Sequence, residues 1–184
     1  MTALIILGVI IAILVLMYNS LIGKKNQVDN IFAGVDAVLK KRYDLIPNLV
    51  ASVSQYMEHE RGILEKITEL RAQAIKPNIS DEKKIALDKE ITSMMGGIMI
   101  AVENYPDLKA NQNVMHLQAS LNEVEAQISA ARRAYNQAVT DYNNAIEMVP
   151  TNFIAQWMKY TRKQVFEITE GERQNVNVGE LFKK

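Results

Sequence analysis

The order of apolar and polar residues divides the chain before any composition is counted. Residues 3–17 are apolar apart from Gly8, and the run extends through Tyr18 to Ile22 with only Asn19 and Ser20 as polar intrusions. About 20 residues of helix cross a hydrocarbon core of roughly 30 Å, so residues 1–23 are expected to form a transmembrane anchor. A cleaved signal peptide needs positive charge before its apolar run and small residues at a cleavage site after it. Here the order is reversed, with no charge ahead of the run and Leu21-Ile22-Gly23-Lys24-Lys25 behind it.

The pattern then changes to a helical heptad. Val28, Phe32, Val35, Leu39, Arg42, Ile46, Leu49, Val53, Tyr56, Glu60, Ile63, Ile67, Leu70 and Ala74 alternate steps of four and three, the spacing of one face of a supercoiling helix. The register does not slip at Pro47. A proline inside a helix usually kinks it, so the pattern predicts one kinked helix over about 26–74. Lys76-Pro77-Asn78-Ile79 breaks it, and Ser80 followed by Asp81 and Glu82 reads as the capped start of a second helix over about 80–104. After Tyr105-Pro106-Asp107, the series Val114, Leu117, Leu121, Val124, Ile128, Ala131, Tyr135, Ala138, Tyr142, Ala145 and Val149 predicts a third helix over about 107–149. Phe153, Ile154, Trp157, Tyr160, Val165 and Phe166 predict a fourth over about 151–168, and the polar residues 171–184 form a tail. The expected fold is therefore all-α: an anchor continuing into an antiparallel four-helix bundle, residues 24–170, of long and unequal helices. The second and fourth helices are too short to cover the others. Val28, Phe32 and Val35 are accordingly expected to want a partner from a second copy, which makes the chain a homo-oligomer.

Composition sharpens this picture mostly by exclusion. Among 184 residues, 21 Lys and Arg balance 21 Asp and Glu, giving no global charge for nucleic acid. The absence of Cys removes disulfides, thiolate metal sites and thiol nucleophiles. Lys24, Lys25, Lys40, Lys41 and Arg42 all follow the anchor, so the charge rule places a short N-terminus outside and the bundle in the cytoplasm. Lys24 and Lys25 are close enough to the surface to meet anionic lipid.

Each candidate for chemistry has a plainer reading beside it. His59-Glu60 begins a helical zinc motif, but position 63 is Ile, and the only other histidine is His116. No metal, cofactor or small-molecule substrate is expected. Gly96-Gly97 is not a phosphate loop, since no Lys-Ser or Lys-Thr follows; the methionines beside it fill an irregular core. Arg42 and Glu60 are the only charges in the first seam, about 27 Å apart along a straight helix. Each is expected to meet an opposite charge or a backbone group on a neighbouring helix and fix register, with Glu123, Glu125, Arg132 and Arg133 as available partners; the alternative is a polar recess for a ligand. Pro47 is expected to be a packing kink, with an articulation or a docking point as alternatives. The Tyr-Asn pairs at 135 and 142, one heptad apart, are accounted for by packing of the tyrosine rings.

Several segments together carry a resemblance. Tyr18-Asn19-Ser20-Leu21, residues 36–50 (DAVLKKRYDLIPNLV), Tyr56 and His59-Glu60 resemble the opening of the LemA family. Residues 103–110 (ENYPDLKA), residues 130–136 (AARRAYN) and Tyr142-Asn143 are similar to its second half. The departure is at the end, where the family has a short proline-containing motif and this chain reads Arg173-Gln174-Asn175-Val176-Asn177-Val178. The resemblance implies a bacterial protein with one span and a bundle of long helices, and implies no activity. The expected function is a non-catalytic scaffold or adaptor at the inner membrane that oligomerises or recruits a partner protein. A signalling rod acting through Pro47 and a membrane-remodelling protein are the alternatives.

Overall fold

A computed structural model describes residues 1–167, so the expected tail at 171–184 lies outside the described residues. The fold is an all-α bundle entered by one long helix. Helix α1 spans Thr2–Val53 without a break, about 78 Å at 1.5 Å per residue. Its first third is apolar and unburied, with Leu4, Ile6 and Leu16 more than half exposed, while Leu21, Val28, Phe32, Val35, Leu39 and Ile46 are buried within the chain. One rigid element thus leaves the anchor and becomes the spine of the core.

The remaining elements are α2 (Arg61–Ala74), α3 (Asp81–Val102), α4 (Pro106–Lys109), α5 (Gln112–Glu147) and α6 (Thr151–Trp157). Ser80 caps α3 by accepting from the Lys83 amide, and Asn111 caps α5 by accepting from Asn113 and Val114. Helix α5 runs antiparallel along α1: Arg42 meets Glu125 and Phe32 meets Tyr135. Helix α3 runs parallel to α1, with Lys84 on Asp36 and Asp88 on Arg42. The half of the bundle far from the anchor therefore holds four helices: α1, α2, α3 and α5. The near half holds α1, α5 and the chain beyond α6.

Three expectations are corrected. The single helix over 26–74 is two: α1 ends at Val53, residues 54–60 reverse the chain, and α2 returns along α1. Arg71 consequently reaches Tyr43, 28 positions earlier. The helix over 151–168 stops at Trp157 because Lys159 is left-handed, with φ 54°, and residues 160–167 continue as an extended strap. The bundle's fourth helix is α2. Finally, Val28, Phe32 and Val35 do not lack a partner. The Phe32, Tyr135 and Phe166 rings stack edge to face at 5.3 and 5.4 Å, so α5 and the strap cover the seam that seemed to need a second copy.

Candidate functional site: an ionic lock and a strapped groove

The one concentration of buried charge among the described residues lies where α1, α3 and α5 meet. Arg42 and Asp88 are each 1% exposed and Arg132 is 9% exposed. Asp88 takes a guanidinium on each oxygen, Arg42 on Oδ1 and Arg132 on Oδ2, the latter at 2.6 Å. Glu125, on the rim, accepts from Arg42 at 3.0 Å and lies 3.8 Å from Arg132. The Thr92 hydroxyl accepts from both arginines at 2.9 and 3.2 Å and donates to the Asp88 carbonyl at 2.8 Å. Two cations and two carboxylates thus neutralise one another. Of the buried guanidinium nitrogens, the two Nε atoms have no acceptor among the described residues. Guanidinium groups do not act as acids or bases near neutrality, and both Asp88 oxygens are engaged. The cluster is an ionic lock in the geometric sense: one buried carboxylate ties α1, α3 and α5 together.

Arg42 lies where the heptad put it, but its main partner was missed. Asp88, Ile91, Met95, Ile98 and Val102 step by three and four, which places the Asp88 carboxylate on the buried stripe of α3. Likewise Ile128, Arg132, Tyr135, Val139, Tyr142 and Ile146 form a second stripe on α5. A charge inside each stripe was the available signal.

The strap closes the groove beside the lock. Asn143 donates to the Lys163 carbonyl and accepts from the Lys163 amide, both at 3.0 Å. Asn136 does the same to Phe166, both at 2.8 Å. Seven helical residues rise about 10.5 Å and three extended residues span about 10 Å. Two asparagines one heptad apart therefore match two strap residues three apart. This extended segment carries its own polar backbone, and the asparagines satisfy it where no sheet exists. Phe166 covers the Arg132 guanidinium at 5.7 Å from its ring centre. Asp88, Arg132 and Asn143 border a cavity of about 430 Å³ beneath the strap.

Pro47 and Glu60 are placed differently from the heptad reading. Helix α1 continues through Pro47, which has no N–H to give the Tyr43 carbonyl one turn back. Arg71 of α2 fills that vacancy, its Nε donating to the Tyr43 oxygen at 2.7 Å. Pro47 is thus where α2 is fastened and not where the chain turns. Glu60 lies in the reversal and meets no neighbouring-helix charge among the described residues; its carboxylate accepts from the Tyr105 hydroxyl at 2.8 Å, joining the two loops at the far end. That bond raises the Tyr105 phenol above its ordinary range. Lys24 and Lys25 are half-buried at the anchor's end, with Lys25 4.0 Å from Asp29. His59 and His116 are both exposed. No group of three or more potential metal ligands is found among the described residues.

The buried phenols give the bundle an alkaline limit. Burial raises Tyr43 well above the ordinary phenol range, helped by Asp88, and burial lifts Tyr135 to about 12. A raised pKa favours the neutral form in the folded state. The contribution is complete below about pH 10, the unfolded value, and is lost as pH climbs toward 12. The Tyr43 hydroxyl also has no partner among the described residues. Tyr43→Phe is therefore expected to leave neutral-pH stability unchanged or raise it by about 1 kcal/mol. It should also move the alkaline unfolding midpoint upward. A midpoint unchanged in a pH titration followed by circular dichroism would contradict the assignment.

Several known proteins are similar to this chain in sequence. The model of the LemA family matches residues 31–179. Protein LemA of Metamycoplasma hominis is 28% identical over 163 residues, covering 89% of this chain and 74% of that protein. Magnetosome protein MamQ 2 of Paramagnetospirillum magneticum is 22% identical over 182 residues, covering 85% and 67%. Magnetosome protein MamQ of Magnetospirillum gryphiswaldense is 20% identical over 181 residues, covering 85% and 66%.

Proposed function

The chain belongs to the LemA family, and on that premise we propose that this membrane-anchored helical protein is a non-catalytic scaffold. It would hold the far half of its bundle at a fixed height and orientation above the bilayer for a partner protein. The observation that carries the reading is the continuity of α1, which enters the core from the anchor without a joint. The polar interior adds to it, because the lock neutralises its own charges and leaves no nucleophile paired with a base. A partner protein is favoured over a second copy, since Val28, Phe32 and Val35 are already covered.

The bundle is assigned to the cytoplasmic face of a bacterial inner membrane. The basic residues that follow the span in sequence, Lys24 and Lys25 first among them, support this by the charge rule. The test is a flexible insertion between Gly23 and Lys24. A scaffold that positions its partner loses it when the joint is loosened, whereas a simple tether keeps it.

A further inference from the structure

Residues 148–158, Met-Val-Pro-Thr-Asn-Phe-Ile-Ala-Gln-Trp-Met, contain no charge. Met148, Val149, Phe153 and Trp157 are 63, 73, 66 and 79% exposed, which for four large apolar side chains on one short hairpin is unfavourable in water. The hairpin's position removes the difficulty. Pro150, Phe153 and Ile154 share an apolar recess with Ile10, Ile13, Leu14 and Met17 of α1. Those α1 residues lie about 10 to 20 Å deeper along the helix than Lys24, within a hydrocarbon core of roughly 30 Å. Whatever packs against them shares their solvent.

The backbone of the segment is suited to that solvent. The Asn152 amide bonds to the Met148 carbonyl, Phe153 to Pro150, Met158 to Ile154 and Tyr160 to Ala155. The Thr151 hydroxyl lies within hydrogen-bond distance of the Ala145 and Met148 carbonyls, at 2.6 and 2.9 Å, at the end of α5. Internal satisfaction of this kind is what a lipid environment demands of backbone, here the short helix α6 and the turns that flank it. Charge resumes on both sides of the segment, where Glu147 pairs with Arg162.

We infer that residues 148–158 form a re-entrant hairpin buried among lipid acyl chains in the leaflet facing the bundle. The chain then touches the membrane twice, through a full span and through a wedge confined to one leaflet. This depends on the anchor and not on the scaffold role.

Trp157 is the only tryptophan and is a built-in depth probe. The full chain is placed in phosphatidylethanolamine–phosphatidylglycerol vesicles, and its fluorescence is challenged with aqueous iodide and with lipids carrying nitroxides on the acyl chain. Quenching several times stronger by the lipid nitroxides than by iodide is expected. Quenching by iodide alone would place the hairpin in water and overturn the inference. Protection from both would mean that a second copy covers it, which also overturns it. The double variant Trp157→Phe with Val9→Trp reports the span in the same assay. A lipid-quenched Val9→Trp with a water-exposed Trp157 removes the hairpin and spares the anchor. Iodide quenching at both positions removes the anchor itself.

Discussion

Asp88→Ala is expected to lower the unfolding free energy of the bundle by about 3–5 kcal/mol, the largest effect of any single change considered. The substitution leaves the Arg42 and Arg132 guanidiniums buried together, with only Glu125, 37% exposed, left to oppose them. Removing Glu125 instead should have a much smaller effect, about 1 kcal/mol, because water can replace a rim carboxylate. The triple change Arg42→Met, Asp88→Leu and Arg132→Met should return stability to within about 2 kcal/mol of the natural chain, since an apolar set of similar volume carries no desolvation penalty. Denaturant titrations of the full chain in mild detergent read all three values. An Asp88→Ala effect below about 1 kcal/mol would mean the cluster is hydrated and is not a lock.

The second large effect is a coupling between Pro47 and Arg71. Arg71→Leu strands the Tyr43 carbonyl that Pro47 cannot satisfy, and should destabilise by about 1–3 kcal/mol. Pro47→Ala supplies the missing N–H and removes an unfavourable helix residue, for a gain of up to about 3 kcal/mol. In the Pro47→Ala background Arg71→Leu should then be nearly neutral. The double-mutant cycle is expected to show a coupling of about 1–3 kcal/mol. Additive effects would break the assigned link between the proline and the α2 clasp.

Much of the architecture was legible because helical periodicity survives in the sequence wherever a helix buries one face. The seam of α1 as far as Val53 is of this kind, while the anchor was legible from its length of apolar run and the start of α3 from the Ser80 cap. The reversal at 54–60 was not legible. Residues Ser54-Gln55-Tyr56-Met57-Glu58-His59-Glu60 hold neither Gly nor Pro, and the three-four spacing runs on through Tyr56, Glu60 and Ile63 although the buried residues there are Met57 and Leu64. The heptad therefore continued on paper where the chain folded back, and Glu60 was counted as a seam residue when it belongs to a loop.

The strap failed for a different reason. Val165 and Phe166 look like the last turns of an amphipathic helix, because an extended segment with one buried side chain has too few residues to show its own period. What holds it is on another helix, in Asn136 and Asn143. In the sequence those asparagines stand beside tyrosines whose packing accounts for the pairs, although a polar pair repeating at heptad spacing beside a buried stripe is the signal for a docked backbone. At the lock, Arg42 was legible as a charge in an apolar seam. Asp88 was not, because α3 was read by its apolar members alone.

We propose that α1 joins membrane and bundle as one rigid piece and that a partner protein depends on that rigidity. The most direct test inserts Gly-Ser-Gly-Ser between Gly23 and Lys24 of the full chain in living cells. A membrane-permeable crosslinker is then applied, and the proteins joined to the natural and inserted chains are identified by mass spectrometry. Helical content and Trp157 fluorescence confirm that the inserted chain still folds and still reaches the membrane. A small, discrete set of partners on the natural chain, lost from the inserted one, is the predicted result. The same partners on both chains, or crosslinks only between copies of the chain itself, would contradict it.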